Sequence, residues 1–207
     1  MLDEGYIKYQ SRWSEAPAPD PAAVLLLEEC RKPLFAAGLI GHYKDLGVGF
    51  GNISIRSKKP RQFLISGTQT GHIASTTEQH YSLVTDYDIE RNEVRCSGPV
   101  QASSEAMTHA AIYELDPSIA AIVHVHSKTL WDEHLNNLPT TSPDVAYGTP
   151  EMAKEFRRLY SNTIFSSQGI AVMGGHEEGL IGFGKSLEKA AAKILALLRI
   201  NRNYLPA

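Results

Sequence analysis

The stretch AIVHVHS, residues 121–127, is an apolar run that carries two histidines one residue apart. A short apolar run of this kind is typical of a buried β-strand. Successive side chains of a strand point to opposite faces, so His124 and His126 share one face while Val123 and Val125 cover the other. Two neutral imidazoles on one rigid face can bind a single divalent ion of the zinc class. The same spacing also suits two ordinary histidines with polar neighbours, and this segment alone leaves both interpretations open.

Strand and helix patterns alternate on both sides of this segment. Alternating apolar residues predict short strands at 52–56 and 62–66. Asp20 followed by Pro21 predicts the start of a helix that breaks or bends at Pro33. The chain has no internal repeat and no change of composition along its length. This alternation predicts a single α/β domain.

The only Pro/Ala-rich stretch, EAPAPDPA at residues 15–22, lies near the N-terminus. Such a composition is typical of a connecting segment between ordered parts of a chain. We therefore expect residues 1–20 to form a loose N-terminal arm and residues 21–207 to form one folded domain.

Composition and charge exclude several classes of protein. The 207 residues include 20 Lys and Arg against 23 Asp and Glu, a formal net charge of -3, which favours neither nucleic acid nor an anionic membrane as a partner. No apolar run approaches the roughly 20 residues of a membrane helix, and the first residues lack the pattern of a secretion signal. Cys30 and Cys96 show no paired-ligand spacing, which indicates reduced thiols. We expect a soluble, cytoplasmic protein.

Two further residues could complete a metal site with the histidine pair. Glu105 lies near the start of a helix predicted after Ser103 and Ser104, where a carboxylate also complements the helix dipole. His176 lies in a glycine-rich turn, MGGHEEG, although a lone loop histidine is usually just exposed. His109 is four residues after Glu105 and could share its helix face, so it is the main rival ligand.

Three polar stretches have the composition of a binding pocket. GFGNIS at 49–54 places Asn52 after a glycine at the start of a strand, and ISGTQTG at 65–71 offers hydroxyls and flexible backbone amides. With Ser103 and Ser104 at a helix N-terminus, these stretches could bind an anion through neutral donors. Each stretch taken singly is equally compatible with a turn or a helix cap.

Taken in chain order, these motifs resemble the class II aldolase/adducin family, particularly its fuculose-phosphate aldolase type. The matching motifs are GNIS at 51–54, ISGTQTG at 65–71, SSE at 103–105, HVH at 124–126, and His176 followed by GLIGFGKSLEKAA. They extend from about residue 22 to residue 200. The resemblance implies a single three-layer α/β/α domain with a central, largely antiparallel sheet. It also implies a homotetramer with its sites at subunit interfaces.

The resemblance implies a role for each matching site residue. His124, His126 and His176 would hold one divalent metal per subunit, with Zn²⁺ the first choice and Mn²⁺ or Co²⁺ as alternatives. Glu105 would be a fourth metal contact in the resting site and the catalytic acid/base. The residues that match the substrate phosphate pocket are Asn52, Ser66, Gly67, Ser103 and Ser104.

The function implied is that of a metal-dependent aldolase, a carbon–carbon lyase. It would cleave a small ketose phosphate to dihydroxyacetone phosphate and an aldehyde through an enediolate, whose negative charge needs a Lewis acid. An epimerase, a dehydratase or a decarboxylase on the same metal site remains an alternative, although epimerases of this scaffold tend to carry Asp where this chain has Glu105. A non-catalytic, adducin-like interaction domain and a sugar-phosphate binding protein are further alternatives.

Three departures from the family pattern leave parts of the site open. Glu177 and Glu178 stand before Gly179, whereas many members have glycine directly after the third histidine, and this could add a carboxylate near the metal. The segment at 128–148 is shorter than in fuculose-phosphate aldolases and has no clear match for the tyrosine that handles the aldehyde. Tyr204 is the candidate for that proton donor, acting from a neighbouring subunit, or else it packs on a helix.

Overall fold

Residues 5–202, which the computed structural model describes, form ten strands and six α-helices. The strands are β1 (Gln10–Ser14), β2 (Gly41–Tyr43), β3 (Val48–Phe50), β4 (Asn52–Arg56), β5 (Phe63–Ser66), β6 (Tyr81–Asp88), β7 (Glu93–Ser97), β8 (Ala121–His126), β9 (Ile170–Val172) and β10 (Gly179–Gly184). The helices are α1 (Pro21–Ala36), α2 (Ala106–Leu115), α3 (Lys128–His134), α4 (Pro150–Asn162), α5 (Phe165–Gln168) and α6 (Leu187–Arg202). Glu78–His80 form one turn of 3-10 helix. None of the helices within the described range has both the length and the apolar character needed to span a bilayer.

Eight of the strands form one central sheet in the order β1-β7-β6-β5-β4-β8-β10-β9. Every neighbouring pair is antiparallel except β1 and β7, which are parallel. The remaining strands, β2 and β3, pair as a separate hairpin. The predicted α/β fold with a largely antiparallel central sheet is confirmed.

The histidine strand β8 lies inside the sheet, and all six of its residues are buried. Val123 and Val125 pack in the core formed with α1 and α6, whereas Ile122 packs in the opposite core with α2 and α4. By strand alternation His124 and His126 lie on the same face as Ile122. Burial of both faces explains why β8 is an apolar run, and helices on the two faces give the three predicted layers.

Helix α1 begins as its capping residues predict. The Asp20 carboxylate accepts a hydrogen bond from the Ala22 backbone N–H at 3.0 Å, and proline occupies the first turn. The helix is not broken at Pro33, because it continues to Ala36, and the alternative of a bend there stays a prediction. Pro33 lies in the last turn, where a missing N–H removes little of the hydrogen-bond ladder.

The N-terminal segment is not loose in the part that the structure describes. Gln10–Ser14 form β1, which pairs with β7 along its whole length, and Tyr9 before it is buried. The expected loose arm is therefore wrong for these residues. Backbone pairing at the sheet edge holds β1 in place, and its side chains are largely exposed. The strand therefore shows no apolar alternation by which the sequence could reveal it. The domain boundary near residue 20 stays a prediction.

Candidate metal site and adjoining pocket

Three histidines converge at the end of the central strands. His124 and His126 come from β8, and His176 comes from the loop between β9 and β10. All three are buried, and their Nε2 atoms lie 3.0, 3.1 and 3.3 Å from one another. Nitrogens bound tetrahedrally to one Zn²⁺ at 2.0–2.1 Å are separated by about 3.3 Å. The three imidazoles are therefore spaced as ligands of one metal ion, and they form a group that could hold it.

The orientation of two of these rings is fixed by local contacts. His124 Nδ1 lies 3.1 Å from the carbonyl oxygen of Leu180, and because a carbonyl only accepts, Nδ1 carries the proton and Nε2 keeps its lone pair. A Cβ on Gly179 would lie 2.5 Å from His176 Cδ2 and 3.2 Å from His124 Cε1. Glycine at 179 thus lets the two rings pack together.

The electrostatics of the cluster favour neutral imidazoles. Burial lowers the pKa of His124 to about 4 and lowers the pKa of His126 and His176 well below the ordinary value. Neutral imidazole is the form that binds a divalent ion. At neutral pH the cluster is therefore ready to bind a metal without releasing protons.

Glu105 faces the same cluster from the start of α2. Its Oε1 lies 3.5 Å from His176 Nε2, and no hydrogen bond of standard geometry reaches either carboxylate oxygen within residues 5–202. Burial raises the pKa of Glu105 to about 7, although the nearby Thr108 hydroxyl and Lys8 ammonium group favour the charged form. A buried carboxylate this weakly partnered is costly in an ordinary core, so its position beside three imidazoles fits a metal ion.

His109, the rival ligand, lies outside the histidine cluster. Its Nδ1 is 2.7 Å from the Ser54 hydroxyl, which also contacts the Tyr113 hydroxyl at 2.8 Å. The His109 ring therefore belongs to a buried polar group between α2 and β4. The sequence spacing alone could not distinguish His109 from a metal ligand, because α2 packs on the face of the sheet that carries His124 and His126.

A cleft opens beside the cluster. Four of the five residues matched to the phosphate pocket line it: Asn52, Gly67, Ser103 and Ser104. Ser66 does not line the cleft, since its buried hydroxyl accepts a hydrogen bond from the Ile53 backbone N–H at 3.2 Å. None of the described lining residues is Lys or Arg, and apart from Glu105 and the three histidines the lining residues are uncharged.

The loop at 67–76, which forms one wall of the cleft, is held from behind by α1. Arg31 is buried and donates hydrogen bonds to the carbonyl oxygens of Thr70, Gly71 and Ile73 at 3.4, 3.3 and 2.6 Å. Glu28, which pairs with Arg31, accepts hydrogen bonds from the Thr76 backbone N–H and hydroxyl. Neither residue was predicted from the sequence, although two charges on the buried face of a helix are the feature that could have revealed them.

The N-terminal segment covers the cleft, a contact that was not predicted from the sequence. Gly5 lines the cleft, and the Gln69 side-chain amide donates to the Gly5 carbonyl oxygen at 3.2 Å. The Tyr147 hydroxyl bonds both the N–H and the carbonyl of Tyr6, at 3.2 and 3.1 Å. The Tyr147 ring also packs on His176 with ring centroids 4.4 Å apart. Residues before β1 are therefore part of the site wall.

The remaining predicted residues lie beside or beyond the site. Glu178 accepts a hydrogen bond from Tyr43, whose hydroxyl also contacts His126. Glu177 is exposed and lies 3.9 Å from the Lys128 ammonium group. Tyr204, the predicted proton donor, lies outside the described residues.

On the three-layer α/β fold, the histidine cluster and Glu105 form a site that could hold a divalent metal ion. The sequence matches the class II aldolase and adducin N-terminal domain over residues 34–205, and the chain belongs to this family. Membership supports a metal-dependent enzyme of the lyase type in the broad sense.

Solved structures of the same fold include characterised and uncharacterised proteins. An L-fuculose-1-phosphate aldolase from Thermus thermophilus is 22% identical over 88% of this chain and 97% of its own, with a TM-score of 0.56. A second L-fuculose 1-phosphate aldolase is 16% identical over 92% and 91%, with a TM-score of 0.64. YgbL from Klebsiella pneumoniae, for which aldolase, epimerase and decarboxylase activities are named as candidates, is 20% identical over 88% of each chain, with a TM-score of 0.63. At these identities the likeness shows the fold alone.

Proposed function

We propose that this chain is a divalent-metal-dependent aldolase that cleaves a small ketose phosphate to dihydroxyacetone phosphate and an aldehyde. The observation that carries the proposal is Glu105, a buried carboxylate that lies 3.5 Å from His176 in a cluster of three neutral imidazoles. A polar cleft adjoins the cluster. Metal-dependent aldol cleavage needs these three parts: a metal, a proton carrier and a substrate-binding pocket.

His124, His126 and His176 would hold the ion, with Glu105 as a fourth contact in the resting site. When bound, a divalent ion supplies a Lewis acid for the negative charge that develops on the substrate oxygens. Zn²⁺ is the first choice for three imidazoles and a carboxylate, and Mn²⁺ or Co²⁺ suit the same donors. We expect one ion per subunit of a homotetramer.

Glu105 is the proposed proton carrier. An acid/base group works best when its pKa lies near the working pH, and burial raises the pKa of this carboxyl to about 7. In the cleavage direction protonated Glu105 can deliver a proton to the carbon that becomes dihydroxyacetone phosphate, and in the reverse direction its carboxylate takes that proton back. Tyr204 is proposed to carry the other proton: it accepts the proton of the substrate hydroxyl that becomes the aldehyde oxygen, and it returns this proton in the reverse reaction.

The cleft is proposed to bind the substrate phosphate and hold the reacting carbons against the metal site. Asn52 pairs with His124 across β4 and β8, so its amide Nδ2 can donate to a phosphate oxygen. Its Oδ1 atom, buried without a hydrogen-bond partner in residues 5–202, would accept from a substrate hydroxyl instead. Ser103 and Ser104 stand just before α2, where backbone N–H groups favour an anion. The backbone of Gly67 lines the cleft beside them. Ser66 would act indirectly, since its hydroxyl accepts a hydrogen bond from Ile53 of β4, the strand that carries Asn52. Fixing the phosphate aligns the bond to be cleaved.

The test is release of dihydroxyacetone phosphate from a panel of ketose 1-phosphates, with and without a chelator. We expect release that the chelator abolishes and added Zn²⁺ restores. Ser104→Ala should raise KM at least several-fold, whereas Ser166→Ala, an exposed serine far from the cleft, should leave KM unchanged.

A negative result would redirect the assignment. If the protein holds one metal per chain yet releases no dihydroxyacetone phosphate from any substrate, the aldolase proposal fails. Epimerase, dehydratase and decarboxylase assays with the same sugar phosphates would then be the next measurements. A non-catalytic interaction domain would be indicated if the wild-type chain bound no metal.

A further inference from the structure

We propose that Tyr43 and Glu178 act together as positioning residues that orient His126 and tighten its hold on the metal. This inference rests on the metal site of the proposed function, but it does not depend on which reaction that site performs. Neither residue belongs to a motif that matches the family. Tyr43 ends β2, and Glu178 lies in the Glu177-Glu178 pair that departs from the family pattern.

The contacts form a short chain from a carboxylate to an imidazole. The Tyr43 hydroxyl donates to Glu178 Oε2 at 2.5 Å, a short bond typical of a charged acceptor. The same hydroxyl lies 3.0 Å from His126 Nδ1. His126 Nε2, on the other side of the ring, is the atom that points into the histidine cluster.

Counting protons fixes the form of His126. A tyrosine hydroxyl has one proton, and here that proton is donated to Glu178. The hydroxyl oxygen must therefore accept from His126, so Nδ1 carries the imidazole proton and Nε2 keeps its lone pair. The carboxylate also polarises the hydroxyl, which makes the imidazole a more basic ligand.

The backbone at Glu178 gives independent support. Its φ angle is +68°, in the left-handed region that glycine adopts without strain and glutamate disfavours by about 1–2 kcal/mol. A glutamate held in this conformation indicates a role for its side chain. Glu177, the adjacent residue, has an exposed side chain that faces Lys128 instead. Only Glu178 of the pair reaches Tyr43.

The relay, meaning the hydrogen bonds from Glu178 through Tyr43 to His126, also connects two parts of the site. Tyr43 belongs to the β2–β3 hairpin, and its ring packs on Phe50 at 4.5 Å between centroids. Phe50 lines the cleft and packs on His126 at 5.4 Å. Glu178 precedes Gly179, on which the rings of the cluster pack. The hydrogen bond between Tyr43 and Glu178 therefore joins the hairpin to the loop that carries His176.

The experiment compares metal affinity in four variants of the full chain by competition with a chromophoric chelator. Tyr43→Phe removes both hydrogen bonds, Glu178→Gln keeps a weaker acceptor, and Glu178→Gly removes the carboxylate while relieving the backbone. Glu177→Gln is the matched control. Loss of such a partner typically weakens metal binding about 10- to 100-fold, and we expect this for Tyr43→Phe and Glu178→Gly. Glu178→Gln should lie between these variants and the wild type, and Glu177→Gln should match the wild type.

Two further measurements separate positioning from general damage to the fold. The metal-free Glu178→Gly protein should be at least as stable to heat as the wild type, because glycine removes the strain. The visible absorption spectrum of the Co²⁺ form should shift in Tyr43→Phe and not in Glu177→Gln, since only the former removes a hydrogen bond to a metal ligand, His126. A Tyr43→Phe or Glu178→Gly protein that binds metal with wild-type affinity would overturn the proposal.

The outcome is distinct from that of the aldolase test. Weakened metal binding in these variants would support the relay even if the wild type released no dihydroxyacetone phosphate. Conversely, an active aldolase whose Tyr43→Phe and Glu178→Gly variants kept full metal affinity would leave the proposed function intact and refute the relay.

Discussion

Glu105 was a candidate site residue from the sequence, but its contact with His176 and its raised pKa depend on the folded structure. Its position before α2 matches an ordinary helix-dipole interaction, yet the side chain turns inward and lies against His176. Burial raises its pKa to about 7, whereas in the unfolded chain the group titrates at about 4.3. The folded state therefore holds this carboxyl at a cost when the metal is absent, and that cost is the mark of a functional group.

Replacing Glu105 separates its proposed acid/base role from its contribution to folding. We expect Glu105→Gln to bind metal but to lose at least about 100-fold in kcat, because the amide cannot carry the proton. In the metal-free protein the same change should raise the melting temperature increasingly from about pH 4.3 to about pH 7 and by a constant amount above that, because over this range the unfolded chain ionises while the folded wild type keeps the carboxyl protonated. Metal content, steady-state rates and thermal unfolding measure these effects. Full activity in Glu105→Gln would refute the acid/base role.

At the scale of elements, α1 and the loop at 67–76 act as one unit. The Glu28–Arg31 pair reaches from the buried face of α1 to three carbonyl oxygens of the loop and to Thr76. Gly71 lies in the tightest part of this loop, where a Cβ would be 2.3 Å from the Gly41 carbonyl oxygen. The helix therefore shapes one wall of the cleft without contributing a side chain to it.

Arg31→Met tests this connection. Breaking a buried ion pair by removing one partner typically costs about 3–5 kcal/mol, so we expect a clear fall in melting temperature. Loss of the loop contacts should also raise KM for the sugar phosphate more than it lowers kcat. Lys32→Met, on the exposed side of the same helix, is the matched control and should change neither quantity. An unchanged KM in a folded Arg31→Met protein would show that the loop holds its shape without α1.

At the scale of the whole molecule, the metal site concentrates buried titratable groups between the two cores. His109, His124, His126 and His176 are all buried, and burial lowers the pKa of each, to about 4 for His124. Burial raises the pKa of Glu105, which is the opposite direction. The stability of the metal-free protein should therefore depend strongly on pH.

The sign of this dependence follows from the histidines. Below about pH 6.5 the unfolded chain binds protons at histidines that stay neutral in the folded protein. Each such histidine lowers the free energy of unfolding by about 1.4 kcal/mol for every pH unit. Four histidines outweigh the opposing effect of Glu105, so the chelator-treated protein should lose stability as the pH falls from about 7 towards 5. His109→Gln should make this loss shallower. Unfolding in urea at several pH values measures it, and a pH-independent midpoint would contradict the prediction.

Local sequence determined the α/β class, the alternation on β8 and the capped start of α1, because each depends on neighbours within a few residues. The motifs also picked out the three histidines and Glu105, since close spacing on β8 and a glycine-rich turn are visible in the chain itself. Their convergence at 3.0–3.3 Å was decided by the pairing of β8 with β10, which brings residues 50 positions apart into contact.

Tertiary structure alone decided the parts of the site that depend on distant pairing. Strand β1 has no apolar alternation and is defined by its partner β7, and the exclusion of His109 depends on its contact with Ser54. Arg31 and the relay from Glu178 to Tyr43 join segments separated by about 40 and 135 positions. Hydrogen bonds of this range leave no periodic pattern in a sequence, because the chain must fold before the partners meet.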